Sequence, residues 1–294
     1  MSDALNPPPS PLRVYYSTGR MLGVEDFQAE ENYHRGRLAR ALLQVAGTGT
    51  VTGLLVQTDG NADPAKLEIQ VTPGMAVDRA GRIIEVPRMV CIGLQNWLTQ
   101  YMASWQAQQA GNLPGVAPIA DPNTAIHDGK NLTIDVFASF AGCNQGLTPA
   151  FGLPDNYDAT DAFTANRILD AFAMQLVLRT DATPKTPLDP WASFGAQQPP
   201  LANLRQSILA GTLGPSGTPA EYPSLSFDQT AVFLARILVP ATPGAASVAP
   251  NPPNPPAWNL TGLGSANIDN TSRLFLIPLS LLSRWNGLGS GTES

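Results

Sequence analysis

The chain has 294 residues, of which 14% are charged, against about 25% in an average soluble protein, and its formal net charge is −6. That balance argues against a nucleic-acid binder working through a basic face, because counterion release needs clustered Lys and Arg. With 28 prolines and 26 glycines, the composition predicts a β-rich, loop-rich protein whose weakly charged surface is compatible with permanent burial in an assembly.

Residues 1–12 form an extended arm in this reading, since Pro7, Pro8, Pro9 and Pro11 disfavour helix. The arm lacks the apolar core of a signal peptide, so synthesis and first assembly are expected in the cytoplasm. The stretch YYSTGRMLGVEDFQAEENYHRGRLARALLQVAGTGTVTGLLV follows, from Tyr15 to Val56. It predicts a helix from Val24 or Glu25, with Glu25 and Asp26 in the first turn. Phe27, His34, Leu38, Ala41, Leu42 and Val45 share one face at helical spacing. Gly47 and Gly49 supply the stop, and Thr50–Val56 is a strand. Five of the 17 basic residues lie between Arg13 and Arg40, a density that points to a docking element.

Next, Leu67, Ile69 and Val71 alternate with polar residues as a half-buried strand. Pro73-Gly74 is expected to turn the chain, Met75–Asp78 to run back, and Arg79–Arg82 to turn again into Ile83–Pro87, completing a meander. Gln95–Gln109 predicts a helix with Trp97, Leu98, Tyr101, Met102 and Trp105 on one face, as core or as a sugar platform. A loop spans Gly111–Lys130, and Asn131–Phe140 alternates cleanly as a strand. A long loop then leads to Thr164–Arg179, whose half from Phe172 to Leu178 should pair with the preceding strand. Asp181–Pro200 is Pro-rich, Leu201–Leu209 a short helix, and Ala231–Val239 a strand buried on both faces. Ala241–Pro256 reads as a polyproline-like loop, and Leu274–Trp285 as an element closing the core.

The expected fold class is therefore mainly β with helical additions (α+β), a small antiparallel meander plus a larger β core with long Pro-rich loops. The division runs 1–12 arm, 13–92 docking helix and meander, 93–130 helix and loop, 131–286 β-rich region, 287–294 tail. Pro-rich insertions fall at 182–200 and 241–256. No apolar run approaches the ~18 residues of a membrane span.

Chemistry-bearing residues are sparse. His34 and His127 stand alone, without metal-ligand spacing such as HExxH or CxxC. His127-Asp128 lacks a GxSxG nucleophile elbow. Gly47–Thr50 resembles a phosphate loop only superficially, because it follows a helix and lacks the GK[ST] ending. Asp155, Asp158 and Asp161 fit a solvated loop better than a calcium site or a glycosidase pair. Cys91 and Cys143 are expected as buried free thiols, with pairing left open. The expectation is a non-enzymatic protein with no cofactor and no metal.

Three blocks, YYSTGRMLGVEDFQAEENYHRGRLARAL, GTGTVTGLLV and LEIQVTPGMAVDRAGRIIEVP, resemble proteins encoded with bacterial phage-tail-like contractile injection systems. LTIDVFASF, RILDAFAMQLVL, VFLARILV and NTSRLFLIPLSLL are similar to downstream strands of the same proteins. The Pro-rich insertions and the helix at 95–109 are departures from that pattern. The resemblance implies a structural component at or near a baseplate, with tail-fibre attachment as a finer role, multimeric within the particle and bound to other baseplate, tail or fibre subunits. Tyr15, Tyr16, Arg20, Tyr33, His34, Arg35, Arg37 and Arg40 are the docking residues it suggests, with pairing to Glu25, Asp26, Glu30 and Glu31 as their alternative role. Whether such a particle is released or membrane-anchored stays open. A rival reading is a glycan- or receptor-binding module using the Trp97–Trp105 stripe or the 144–163 loop; a hydrolase using the three aspartates is a third.

Overall fold

The computed structural model describes residues 12–61, 63–111, 119, 121, 131–149, 163–181, 183–187, 209, 221–223, 227–243 and 258–277. Among them the fold is mainly β with helical additions, built from three sheets and the helices α1 (Val24–Val45) and α2 (Leu94–Gln109).

The N-terminal β-unit is a meander of bent strands. β1 (Gly49–Gly53) and β2 (Val56–Thr58) run antiparallel to β4 (Gly74–Val77) and β3 (Glu68–Val71), and β5 (Ile83–Val86) and β6 (Val90–Gly93) pair on the far side. The halves form separate sheets, β1-β4-β5 and β2-β3-β6. Pro73-Gly74 therefore does not reverse the chain as expected. It is a kink within one continuing strand, matched by a second kink at Gly53-Leu54, where φ is +61° and +55°. The two kinks cross so closely that a Cβ on Gly53 would lie 2.0 Å from the Pro73 carbonyl oxygen. One on Gly74 would lie 2.3 Å from that of Thr52. Only glycine fits at such an approach. The turn at Arg79–Arg82 reverses the chain as expected.

The C-terminal sheet has the order β10-β9-β7-β8, with β11 also on β9; its strands are β7 (Asn131–Pro149), β8 (Phe163–Leu178), β9 (Val232–Pro243), β10 (Trp258–Leu260) and β11 (Ile268–Asp269). Phe172–Leu178 pairs with β7 as the alternation predicts, and β9 is buried along nearly its whole start. The expected loop before Thr164 is much shorter than predicted, because Asn144–Pro149 and Phe163 are strand. β9 leaves β7 at Ala138, so the outer parts of β7 and β8 continue as a two-stranded ribbon of ~30 Å. Its Gly, Asn and Gln content hid it from a pattern search. The expected helix at Leu201–Leu209 apart from its last residue, the aspartates at 155, 158 and 161, His127 and most of the Pro-rich insertions lie outside the described residues.

One hydrophobic cluster joins both units: Leu54, Val56, Leu67, Ile69 and Ile84 pack with Leu132, Ile134, Leu234 and Ile237. The segment after β11 staples them. The Asn270 side chain donates to the Val56 carbonyl (2.8 Å) and accepts from its N–H (3.0 Å), and Arg273 Nη1 donates to the Leu54 carbonyl (2.7 Å). The strained Leu54 kink thus has its backbone oxygen satisfied. Asp269 accepts from Thr271 and Ser272; although burial opposes it, these bonds hold its carboxyl down at about 2. Cys91 and Cys143 are free and exposed, not buried.

Gly74→Ala should lower stability by about 3 kcal/mol, read from denaturant unfolding, because the Cβ meets backbone that cannot yield. For Asp269, the folded carboxyl stays ionised between the unfolded value near 4 and about 2, so unfolding takes up a proton there. Stability falls as pH drops through that window, and Asp269→Asn should flatten this acid limb in urea titrations at pH 2–5.

Candidate functional site

The chain reaches α1 through an extended lead in which Tyr15, Tyr16 and Met21 are exposed. Arg20 folds the lead back: its guanidinium donates to the Tyr15 carbonyl (3.0 Å) and to Asp26 (2.8 Å). The other Asp26 oxygen accepts the Gly23 N–H at 3.0 Å, which fixes the helix start. At the far end the Ala46 and Gly47 amides bond the Leu42 and Leu43 carbonyls, and Gly47 takes φ +90° as the stop predicted from sequence.

Within this 22-residue helix only Gly36 and Ala39 are buried. Ala39 rests on the β4–β5 turn, where Gly81 comes so near that a Cβ on it would lie 2.0 Å from the Ala39 carbonyl oxygen. Small residues on both sides allow that backbone contact. The apolar stripe points the other way: Val24, Phe27, Leu38 and Val45 are 67%, 59%, 67% and 86% exposed. A helix seated by one face, with its apolar stripe uncovered, has the form of a docking element.

The seat itself is held by buried charge. Asp78 is fully buried; its Oδ1 accepts from the Ala80 and Arg82 amides, and its Oδ2 from Arg82 Nε at 2.6 Å. Burial pushes the Asp78 carboxyl above its ordinary range, against the pull of Arg82. Arg82 reaches Thr230 (2.7 Å) and lies over the Phe140 ring, while Arg79 pairs with Glu221 at 2.8 Å. Beyond it, Arg179 bonds the Glu221 carbonyl, the buried Asp135 (3.0 Å) and both oxygens of Asp181. Arg236 closes the chain with two bonds to Asp135, at 2.7 and 2.9 Å. Neither Asp135 nor Glu221 stood out in the sequence, because the residues that satisfy them are distant in the chain.

The docking residues named from sequence are brought onto one helix and its lead, but not all are free. Arg35 pairs with Glu31 (3.8 Å) and His34 with Glu30 (3.4 Å), the latter's ring edge-on to Tyr33. Arg37 is exposed and Arg40 half-buried, and neither has a carboxylate partner among the described residues. The aromatic stripe of α2 belongs to the core: Leu94, Leu98 and Trp105 are buried, and Trp97, Tyr101 and Met102 pack against the same cluster. Among the described residues no group of His, Cys, Asp and Glu could hold a metal ion, and no helix is long and apolar enough to cross a membrane.

No protein-family model matches the chain, and neither does any curated protein at a significant level. Among solved structures it is similar to the crystal structure of TssK, at 13% identity and a TM-score of 0.24. That match covers 58% of this chain and 37% of the TssK chain, so well under half of that protein is represented. A likeness at that score fixes neither fold nor function.

Arg82→Met strands the buried Asp78 charge and should cost about 3–5 kcal/mol, with faster proteolysis of the chain around α1. Arg37→Ala, on the open side of the helix, should stay within about 0.5 kcal/mol of the parent protein in the same unfolding assay.

Proposed function

We propose that the chain is a non-enzymatic structural component of a phage-tail-like contractile injection particle, docked at or near its baseplate through α1 and the lead before it. The observation that carries this reading is the orientation of α1: its small-residue face is spent on the β4–β5 turn and its apolar stripe faces outward. The sequence blocks that resemble such proteins most specifically, Tyr15 to Pro87, form this helix and the bent meander that seats it. The partners are other subunits of the particle, and tail-fibre attachment is the finer role that this position suits. Arg37, which has no carboxylate partner among the described residues, lies beside the stripe and suits a carboxylate on a neighbour.

Mass spectrometry of sheathed particles purified from the native host should find the chain enriched at a fixed ratio to a baseplate protein. Arg35→Ala combined with Arg37→Ala should leave the circular dichroism spectrum and unfolding midpoint unchanged while depleting the chain from particles. Normal incorporation of that variant would overturn the assignment of this docking face.

A further inference from the structure

The outward side of α1 carries a seam that is apolar at both ends and polar in the middle, at Glu31 and His34. Val24, Phe27, Glu31, His34, Leu38, Ala41 and Val45 recur at alternating spacings of three and four, the seam of a coiled coil. Every one of them is exposed, and the buried Gly36 and Ala39 lie on the opposite side. A period of 3.5 residues continued for about three heptads has no use against the β4–β5 turn, which touches the other face.

The pattern of this seam is self-complementary. Set antiparallel against its own copy, it places Val24 opposite the second copy's Ala41, Phe27 opposite its Leu38, and Glu31 opposite its His34. Each pairing occurs twice by symmetry, as an isologous contact requires. The flanking positions agree. Glu30 then faces the second copy's Arg37, again twice, which joins a carboxylate to the guanidinium that has no carboxylate partner among the described residues. Glu30 Oε1 takes His34, and Oε2 is buried without a hydrogen-bond partner among the described residues, so this pair forms only once the Glu30 side chain swings outward. A parallel arrangement would instead oppose Glu31 to Glu31 in the seam, which is repulsive.

We infer that α1 binds a second copy of this chain as an antiparallel two-helix coil, with Phe27 and Leu38 as its apolar anchors and Glu30–Arg37 as its charge pairs. The inference rests on the reading of α1 as the docking element and names its partner. It makes the chain enter the assembly as a dimer.

Analytical ultracentrifugation of the full-length protein tests this without particles. The parent chain should sediment as a dimer that dissociates on dilution, and Leu38→Glu, at an exposed position, should be a folded monomer. Arg37→Glu should raise the dimer Kd about 10-fold, through two lost pairs and new repulsion, and adding Glu30→Arg should restore most of it. In a Cys91→Ser, Cys143→Ser background, Phe27→Cys mixed with Leu38→Cys should cross-link on oxidation, whereas Phe27→Cys alone should not. A monomeric parent chain, a dimer indifferent to Leu38→Glu, or cross-linking of Phe27→Cys to itself would each overturn the inference. Failure here together with normal loss of Arg35→Ala, Arg37→Ala from particles would leave the docking role standing with a different partner.

Discussion

The constraint on which the functional surface depends is the chain of buried charge that fixes the β4–β5 turn. Asp135 sits fully buried between the guanidiniums of Arg179 and Arg236, and the same Arg179 bonds the strap carrying Glu221. Glu221 takes Arg79, and Arg82 beside it neutralises Asp78. Such pairs contribute little net stability over an apolar core, since desolvation offsets most of the attraction. Their value here is geometric. Bonds in fixed directions hold a turn of the N-terminal unit against a strap and a sheet of the C-terminal one, in one register.

That rigidity makes the open face of α1 meaningful. The helix contacts the body through Gly36 and Ala39, a contact that works only if Gly81 stays where the ion pairs put it. Its apolar residues are left in water. Burying each of Phe27, Leu38 and Val45 would be worth about 1.5–3 kcal/mol, so the surface is poised to be covered. The bent meander serves the same end: crossed kinks at Gly53 and Gly74 fold its two halves over the core, and its β4–β5 turn meets the helix at Ala39.

Much of the fold was legible in the residues. β7 alternates because one face packs on the main core, and β9 is mostly apolar because both faces of its first half, Arg236 apart, are covered. The helix stop at Gly47 and the α2 stripe also followed from local chemistry. Pro73-Gly74 misled because that dipeptide signals a turn, whereas here a second kink at Gly53 lets the strand continue past it. The ribbon beyond Phe140 was missed because strand pairing alone, not side-chain burial, defines it. For α1 the sequence showed the stripe but not its direction. A core-facing and a partner-facing stripe share one pattern, and only the position of Gly36 and Ala39 separates them. The ionic chain was invisible, since the links that close it join residues far apart in sequence, as Arg79 with Glu221 and Arg236 with Asp135.

The most direct measurement is hydrogen exchange by mass spectrometry over residues 24–45, in the isolated dilute chain and in purified particles. Assembly through α1 requires exchange across this helix to slow strongly in particles, while the already protected amides of β7 and β9 change little. Unchanged exchange in α1, with new protection confined to the ribbon at 141–149 and 163–171, would contradict the account and move the docking surface to that ribbon.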